Sequence, residues 1–308
     1  MSRVLLSTTI ALLMLNPLHS LLQSPLPPAL ALWTLQEPTG VARVSSGLYA
    51  YKLIDGNTSH AIERVTVNGS AAPFGEFAAK FSALTSSYNN SARLYAPRDE
   101  ALAITEGISG PNATVTLVTW ISLSQLNKNG GAYIAGVWDE YGVVGGTTGA
   151  RAYALFLNLA ICQPYNGSLF AGGVVAHISP VGGPTPGNKY CTTAACDSRK
   201  LESDSWHCIA NTYDGNEIRA YVNGTFITNS YRNPFLLNGG IFDPESSGAG
   251  RIGAEFGVGA NRVNSTDIGE NGFRWANTYE GLLGGIAVWN TSFSQADVIR
   301  ACALGRGF

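Results

Sequence analysis

The sequence predicts an all-β protein, an antiparallel sandwich of two sheets closed by a short C-terminal helix. Three observations carry that prediction. Glycine supplies 36 of 308 residues, well above the usual share of about 7%, a profile of many turns joining short strands. Short runs of β-branched and aromatic residues recur between clusters of Gly, Asn, Pro and Ser. Helical periodicity is nearly absent until the last fifteen or so residues. With 45% hydrophobic and 13% charged residues, the chain can bury a full core, which excludes a disordered chain or a coiled coil.

Taken in order, Met1-Ser2-Arg3 precedes an apolar stretch from Val4 to Leu15. That stretch is short for a hydrocarbon layer of about 30 Å and has the form of a secretory signal. His19-Ser20 lacks a small residue at the minus-three position, whereas Ala29-Leu30-Ala31 has the small-x-small form. Residues 1–31 therefore read as a signal peptide, with or without a short pro-segment. Residues 32–308 read as one domain, because no repeat, charge run or linker divides them. No second apolar run reaches spanning length, so a secreted, extracellular chain without a membrane span is expected.

Within that domain the strand candidates are Gly47 to Leu53, Ile62 to Val67, Val115 to Ile121, Ala152 to Leu159, Gly173 to Ile178 and Ile218 to Val222. Asp214-Gly215 and Asn223-Gly224 supply hairpin turns. Trp206 and Cys208 share one parity along their strand, which predicts both on the inward face. Ser294-Gln295-Ala296-Asp297 is a capping-box start for a helix through Ala303.

The run from Trp206 to Asn223 with its following glycine, WHCIANTYDGNEIRAYVNG, resembles the laminin-G-like signature of the concanavalin A-like lectin and glucanase superfamily. Ala92 to Ile121 resembles that family's first strands, and Leu282 to Ile299 its closing strand and terminal helix, so the likeness covers roughly residues 74 to 303. The resemblance implies a jelly-roll sandwich. It says little of function, since the same scaffold hosts lectins, adhesion modules, hydrolases and lyases.

Sequons begin at Asn57, Asn68, Asn89, Asn112, Asn166, Asn223, Asn264 and Asn290, more than chance placement provides, and with the signal they predict a glycoprotein. The five cysteines are an odd number for an exported chain, so at least one is unpaired or bridges molecules. Cys191 and Cys196 are close enough for a local disulfide if the chain turns back, and Cys208 is expected buried and reduced.

Nineteen basic against 21 acidic residues, with no basic stripe, exclude phosphate-driven nucleic-acid binding. No Gly-x-Ser-x-Gly, His-Glu-x-x-His or phosphate-loop motif occurs, which removes serine-hydrolase, zincin and nucleotide readings. Glu202-Ser203-Asp204 only half matches the alternating carboxylates of the superfamily's hydrolases and reads as a polar loop. Trp138-Asp139-Glu140-Tyr141 is a binding candidate. In a loop its carboxylates would hold sugar hydroxyls or calcium, which the resembled domains often carry, while an aromatic ring stacks on a pyranose. The alternative is a turn with Trp138 in the core. His177 precedes a long Gly/Pro loop, Ser179 to Tyr190, of the kind that shapes a binding rim. Arg151, His177 and Tyr190 form the second candidate: Arg151 for an acidic sugar's carboxylate, His177 for proton exchange near neutral pH, Tyr190 for stacking or donation. The expected function is glycan binding. The rivals are a polysaccharide lyase or glycoside hydrolase using those three residues as catalytic groups, and an extracellular adhesion module.

Overall fold

The computed structural model describes residues 25–56, 61–67, 72–82, 92–97, 107–123, 131–144, 147–162, 173–228, 232–244, 255–264 and 273–305, with the backbone alone at 141–144, 147–148, 264 and 273–275. In chain order the strands are β1 (Ala31–Trp33), β2 (Arg43–Val44), β3 (Lys52–Asp55), β4 (Glu63–Thr66), β5 (Phe77–Phe81), β6 (Leu94–Tyr95), β7 (Val115–Ser122), β8 (Ala132–Val144) and β9 (Thr147–Leu157). After a 3-10 turn at Ala160–Cys162 come β10 (Val174–Ile178), β11 (Ala194–Asp197), β12 (Trp206–Tyr213), β13 (Glu217–Val222), β14 (Phe235–Leu236), β15 (Gly257–Val258), β16 (Asn261–Asn264), β17 (Phe273–Ala276) and β18 (Gly281–Trp289), then helix α1 (Gln295–Cys302). One sheet runs β14-β13-β12-β7-β18-β5-β4, with β1 also on β18; the second runs β11-β10-β9-β8-β15-β6-β3-β2; β16 and β17 form a separate ribbon. The sandwich of two antiparallel sheets is the one predicted. Among the described residues no helix is long and apolar enough to cross a membrane.

Strand parity builds the core. On β7, Val115, Leu117 and Ile121 face the space between the sheets and meet Ile209 and Tyr213 of β12 and Leu155 of β9. The opposite parity is buried as well: Val118 and Trp120 of β7, Cys208 and Ala210 of β12, and Ala287 and Trp289 of β18 pack under Val298, Ala301 and Cys302 of α1. The helix starts where its capping box predicts, with Ser294 accepting from the Asp297 amide and the Asp297 carboxylate accepting from the Ser294 amide. Asn223 and Gly224 both have positive φ, at 49° and 78°, the conformation a two-residue hairpin turn requires.

Three expectations are corrected here. Trp206 and Cys208 lie on the outer parity of their strand, and the inward parity belongs to Ile209, Asn211 and Tyr213. Asn211 crosses the core and donates to the Ala154 and His177 carbonyls of the other sheet at 3.2 and 3.0 Å. Cys208 is buried but not reduced: it is bonded to Cys302, fastening α1 to the sheet. Cys196 pairs with Cys162 rather than Cys191, which is buried and free, its sulfur 3.2 Å from the Thr193 hydroxyl. The chain from Cys191 runs on into β11 without the turn that a local bridge needs.

The N-terminal boundary has a structural consequence. Leu30 donates to the Val288 carbonyl, Ala29 and Leu30 accept from the Leu48 and Tyr49 amides, and the Trp289 indole donates to the Pro27 carbonyl. The small-x-small run Ala29-Leu30-Ala31 thus belongs to the sandwich, its small side chains fitting under neighbouring strands, and a cut after Ala31 falls inside β1. Residues 1–24 lie outside the described residues. Of the sequons, Asn112, Asn223 and Asn290 are exposed and Asn264 begins at the end of β16, whereas Asn57, Asn68, Asn89 and Asn166 lie outside the described residues.

Replacing Cys208 and Cys302 together by Ser should lower unfolding free energy by about 4–5 kcal/mol, as expected for opening a loop of 94 residues. The measurement is denaturant unfolding, and a loss under about 1 kcal/mol would contradict it.

Candidate functional site

The outer face of the second sheet carries a pocket where two glycines stand side by side. Gly257 of β15 pairs with Tyr95 of β6 on one side and with Gly136 of β8 on the other. The missing side chain at Gly257 leaves a depression in this face. Gly136 has no substitute: its φ is 143°, and a Cβ there would lie 2.2 Å from the Tyr153 carbonyl oxygen. Tyr133 lies beneath, its hydroxyl donating between the Gly136 and Gly257 carbonyls at 2.6 and 3.1 Å. The depression is shallow and is walled by Arg93, Tyr95, Trp138, Asp139, Glu255 and Arg262.

Alternation places those walls. Ala92, Leu94 and Ala96 point into the core, so Arg93 and Tyr95 point out, half-buried. The Arg93 guanidinium lies 5.5 Å from the Tyr95 ring centroid and donates to the Gly56 carbonyl at 3.0 Å. Burial pushes the Arg93 guanidinium down to about 10, against the attraction of Glu255, so it stays charged at neutral pH.

Trp138, Asp139 and Glu140 lie on β8 rather than in a loop, in a stretch where the pairing with β9 is irregular. Asp139 is salt-bridged to Arg262. The Glu140 carboxylate gathers three elements: it accepts from the Trp138 indole at 3.1 Å and the Asn261 amide at 3.3 Å, and pairs with Arg151 at 3.4 Å. Asn277 in turn donates to Asn261 at 2.8 Å. Glu140 is therefore a positioning residue that fixes the Trp138 edge of the pocket. Both carboxylates are turned to guanidinium partners, and among the described residues no three His, Cys, Asp or Glu side chains gather as metal ligands. The Tyr141 side chain lies outside the described residues.

Arg151 and His177 are brought into one neighbourhood, but as a buried cluster. His177 is 2% exposed, its ring 4.7 Å from that of Trp138 and 5.5 Å from that of Phe156. Its Nδ1 has no hydrogen-bond partner. Burial first, then the nearby Arg232 and Arg151 guanidinium groups, lower its pKa to about 3. The expected proton exchange near pH 7 is corrected: the ring is neutral and sealed. The expected role of Arg151 toward an acidic sugar is corrected as well. It is 3% exposed, committed to Glu140, and held by the Gly182 carbonyl of the Gly/Pro loop, to which its backbone amide also donates. Tyr190 is 55% exposed at the end of that loop, with the Lys189 ammonium 5.3 Å over its ring. The ring neighbours of His177 are Trp138 and Phe156, so Tyr190 does not complete a triad. His207 Nε2 donates to the Glu202 carbonyl at 3.0 Å, in a structural position. Glu202 and Asp204 are in the polar loop before β12.

Sequence reasoning missed Arg93, Tyr95, Glu255, Gly257 and Arg262. Their local signal was present as two short alternating runs, ARLYA and EFGV, each with polar or aromatic residues on one parity. What brings them together is the insertion of β15 between β6 and β8, a pairing across more than 100 positions.

No protein-family model matches the chain, and no curated protein matches it. Solved structures do. The binding domain of botulinum neurotoxin serotype G superposes with a TM-score of 0.52 at 8% identity, over 89% of this chain and 50% of that one. A botulinum neurotoxin type C structure gives 0.51 at 8%, over 90% and 50%. The binding domain of botulinum neurotoxin DC, in complex with rat synaptotagmin II, gives 0.50 at 7%, over 89% and 51%. The chain thus spans about half the length of the neurotoxin chains it matches, and at these identities the likeness is one of fold, the β-sandwich.

Because His177 is neutral in the fold and titrates near 6.5 when unfolded, the unfolded state binds the extra proton first as pH falls. The stability His177 contributes by staying neutral is complete above about pH 6.5 and is lost on acidification toward about pH 3, at about 1.4 kcal/mol per pH unit. Urea unfolding at a series of pH values should show this slope, and His177→Phe, which keeps a ring against Trp138, should flatten it. An unchanged slope would contradict the assignment.

Proposed function

We propose that this chain is a secreted glycan-binding protein on the concanavalin A-like sandwich that the Trp206–Gly224 run resembles, recognising poly- or oligosaccharide at the Gly257 pocket. The observation that carries the reading is the pocket itself. A half-buried tyrosine ring stands beside guanidinium and carboxylate groups whose positions are held by a supporting layer of hydrogen bonds. Sugar recognition needs those two ingredients, an apolar ring for the C–H face and fixed donors and acceptors for hydroxyls. The fold likeness supports the scaffold: the type C neurotoxin structure is described as interacting with two ganglioside molecules, and this chain spans half of that chain. Lyase or hydrolase chemistry through Arg151, His177 and Tyr190 gains no support, since the first two are buried and the third stands apart.

A second reading, adhesion to a protein surface, draws on one observation: Val41, Val44, Leu48 and Tyr49 are all exposed near the β2 edge. Such a patch is more apolar than an edge strand usually leaves open.

Two experiments test the proposal. On a glycan array the wild-type chain should bind a restricted set of glycans, and Gly257→Val should abolish binding without lowering Tm. A Cβ there meets Tyr133 at ordinary contact distance, 3.4 Å, so the substitution begins without a backbone clash. A wild-type chain that binds no glycan while Leu48→Asp and Tyr49→Ser block cell-surface binding would replace glycan recognition with adhesion. N-terminal sequencing of the secreted chain should place signal cleavage upstream of Leu26, with glycan at exposed sequons such as Asn112 and Asn290. A mature start at Leu32 would overturn the upstream cut and bear out the one after Ala31.

A further inference from the structure

The sequon Asn223-Gly224-Thr225 forms the turn that ends β13, and the fold fastens each of its three residues. The Asn223 amide donates to the Cys208 carbonyl at 2.6 Å, and the Cys208 amide donates back to the Asn223 carboxamide oxygen at 2.9 Å. Gly224, at a φ of 78°, lies under helix α1, where a Cβ would stand 2.7 Å from Ile299 Cγ1. The Thr225 hydroxyl donates to the Val222 carbonyl at 3.2 Å and accepts from Arg199 at 2.8 Å. The Thr225 carbonyl accepts from the same guanidinium at 2.6 Å. Arg199 is anchored in turn by the buried Asp197 carboxylate at 2.7 Å. Cys208, the partner of Asn223, is bonded to Cys302 of α1, so the disulfide and the sequon share one residue. Asn112 is the contrast: it is exposed in the turn before β7, and its carboxamide has no hydrogen-bond partner among the described residues.

Resting on the secretory reading above, we infer that Asn223 is a conditional glycosylation site, open to modification before α1 docks and closed once the Cys208–Cys302 bond forms. In the transfer, Asn Nδ2 attacks C1 of a lipid-diphosphate-linked oligosaccharide. The Nδ2–C1 bond forms, the C1–O bond breaks with its electron pair leaving on the diphosphate, and one Nδ2 proton passes to a base of the transferase. That enzyme has to grip the carboxamide and the sequon hydroxyl together, which is why the motif requires Ser or Thr. In the folded chain the carboxamide is turned to the Cys208 amide, and the hydroxyl is held between Val222 and Arg199. The turn cannot be drawn out into a cleft while Ile299 packs on Gly224. Opening it means parting α1 from the sheet, which the disulfide resists. The order of synthesis sets the window. Cys302 follows Asn223 by 79 positions, which at about 5–20 residues per second takes about 4–16 s. Until then β7, β12 and β13 lack both β18 and α1, and a sheet without its apolar cover opens readily. Asn223 is exposed in the fold, so a chain modified in time still folds. The secreted protein is therefore a mixture, with and without sugar at this turn.

The test is site occupancy. The full chain is made in a eukaryotic secretory host and enzymatically deglycosylated in isotopically heavy water. Asn-to-Asp conversion at each sequon is then quantified by mass spectrometry in the cell and secreted fractions. In the wild-type chain Asn223 should be occupied at most about half as often as Asn112, because closure competes with transfer over the same seconds. A reductant added to the cells to delay the disulfide should raise Asn223 occupancy by about twofold and leave Asn112 unchanged. Cys208→Ser combined with Cys302→Ser should do the same without reductant. A second measurement does not depend on how that variant folds: purified wild-type chain given an oligosaccharyltransferase and its lipid-linked donor should gain no sugar at Asn223 until its disulfides are reduced. Asn223 occupied as fully as Asn112, or occupancy that reductant leaves unchanged, would overturn this inference and leave the secretory reading standing. A chain that stays in the cell with no sugar at any sequon would overturn both.

Discussion

A strand that is apolar on both parities cannot border water on either side, and the architecture follows from that constraint. β7 is buried along its whole length, and its neighbours β12 and β18 are nearly so. Their inner parity is covered by the second sheet. Their outer parity needs a separate cover, which the capped helix α1 and the segment from Leu26 to Leu32 provide. The Cys208–Cys302 bridge and the Trp120 indole, which donates to the Cys302 carbonyl at 3.0 Å, hold the helix in place. The N-terminal segment is part of that cover, anchored by Leu30 on Val288 and Pro27 on Trp289.

The second sheet meets the same demand with side chains rather than a helix. Trp138, Phe156 and His177, with the Cys162–Cys196 bridge, make a dry cluster on its outer face. Dry is the operative word for His177: excluded from water and facing two arginines, it is a packing residue with a ring. Ionic pairs rim that cluster, and they serve position more than net stability, since a buried pair recovers little beyond its own desolvation. Glu140 shows how. One carboxylate ties β8, β9 and β16 together through Trp138, Arg151 and Asn261, which fixes this wall of the Gly257 pocket. Preorganisation of this sort limits the ordering cost that binding must overcome.

The second sheet's outer face is therefore sealed on one side and open on the other, and the opening coincides with Gly257. A sheet surface with a side chain at every outward position is a continuous layer. Removing one at Gly257 interrupts it, and the charged and aromatic residues around the gap become its walls.

Much of this was legible in the sequence because it is local. Gly, Asn and Pro punctuation, the capping box at Ser294 and Asp297, the turns at Asp214-Gly215 and Asn223-Gly224, and most strand positions depend on neighbours within a few residues, where propensity and hydrogen-bonding chemistry act directly. The candidate site was less so. Trp138, Arg151 and His177 do gather in one region, but their exposure, and hence their chemistry, was decided by what packs over them. Disulfide partners went the same way: Cys196 and Cys191 are near in sequence, yet an extended chain between them leaves Cys162 the partner within reach. Inward and outward parity on β12 also required tertiary structure, because both of its faces are apolar and alternation alone cannot say which one meets the other sheet. The pocket lay furthest from the sequence. Tyr95, Gly136 and Gly257 become neighbours only when β15 inserts between β6 and β8, and the free energy that selects that pairing belongs to the whole sandwich rather than to any segment of it.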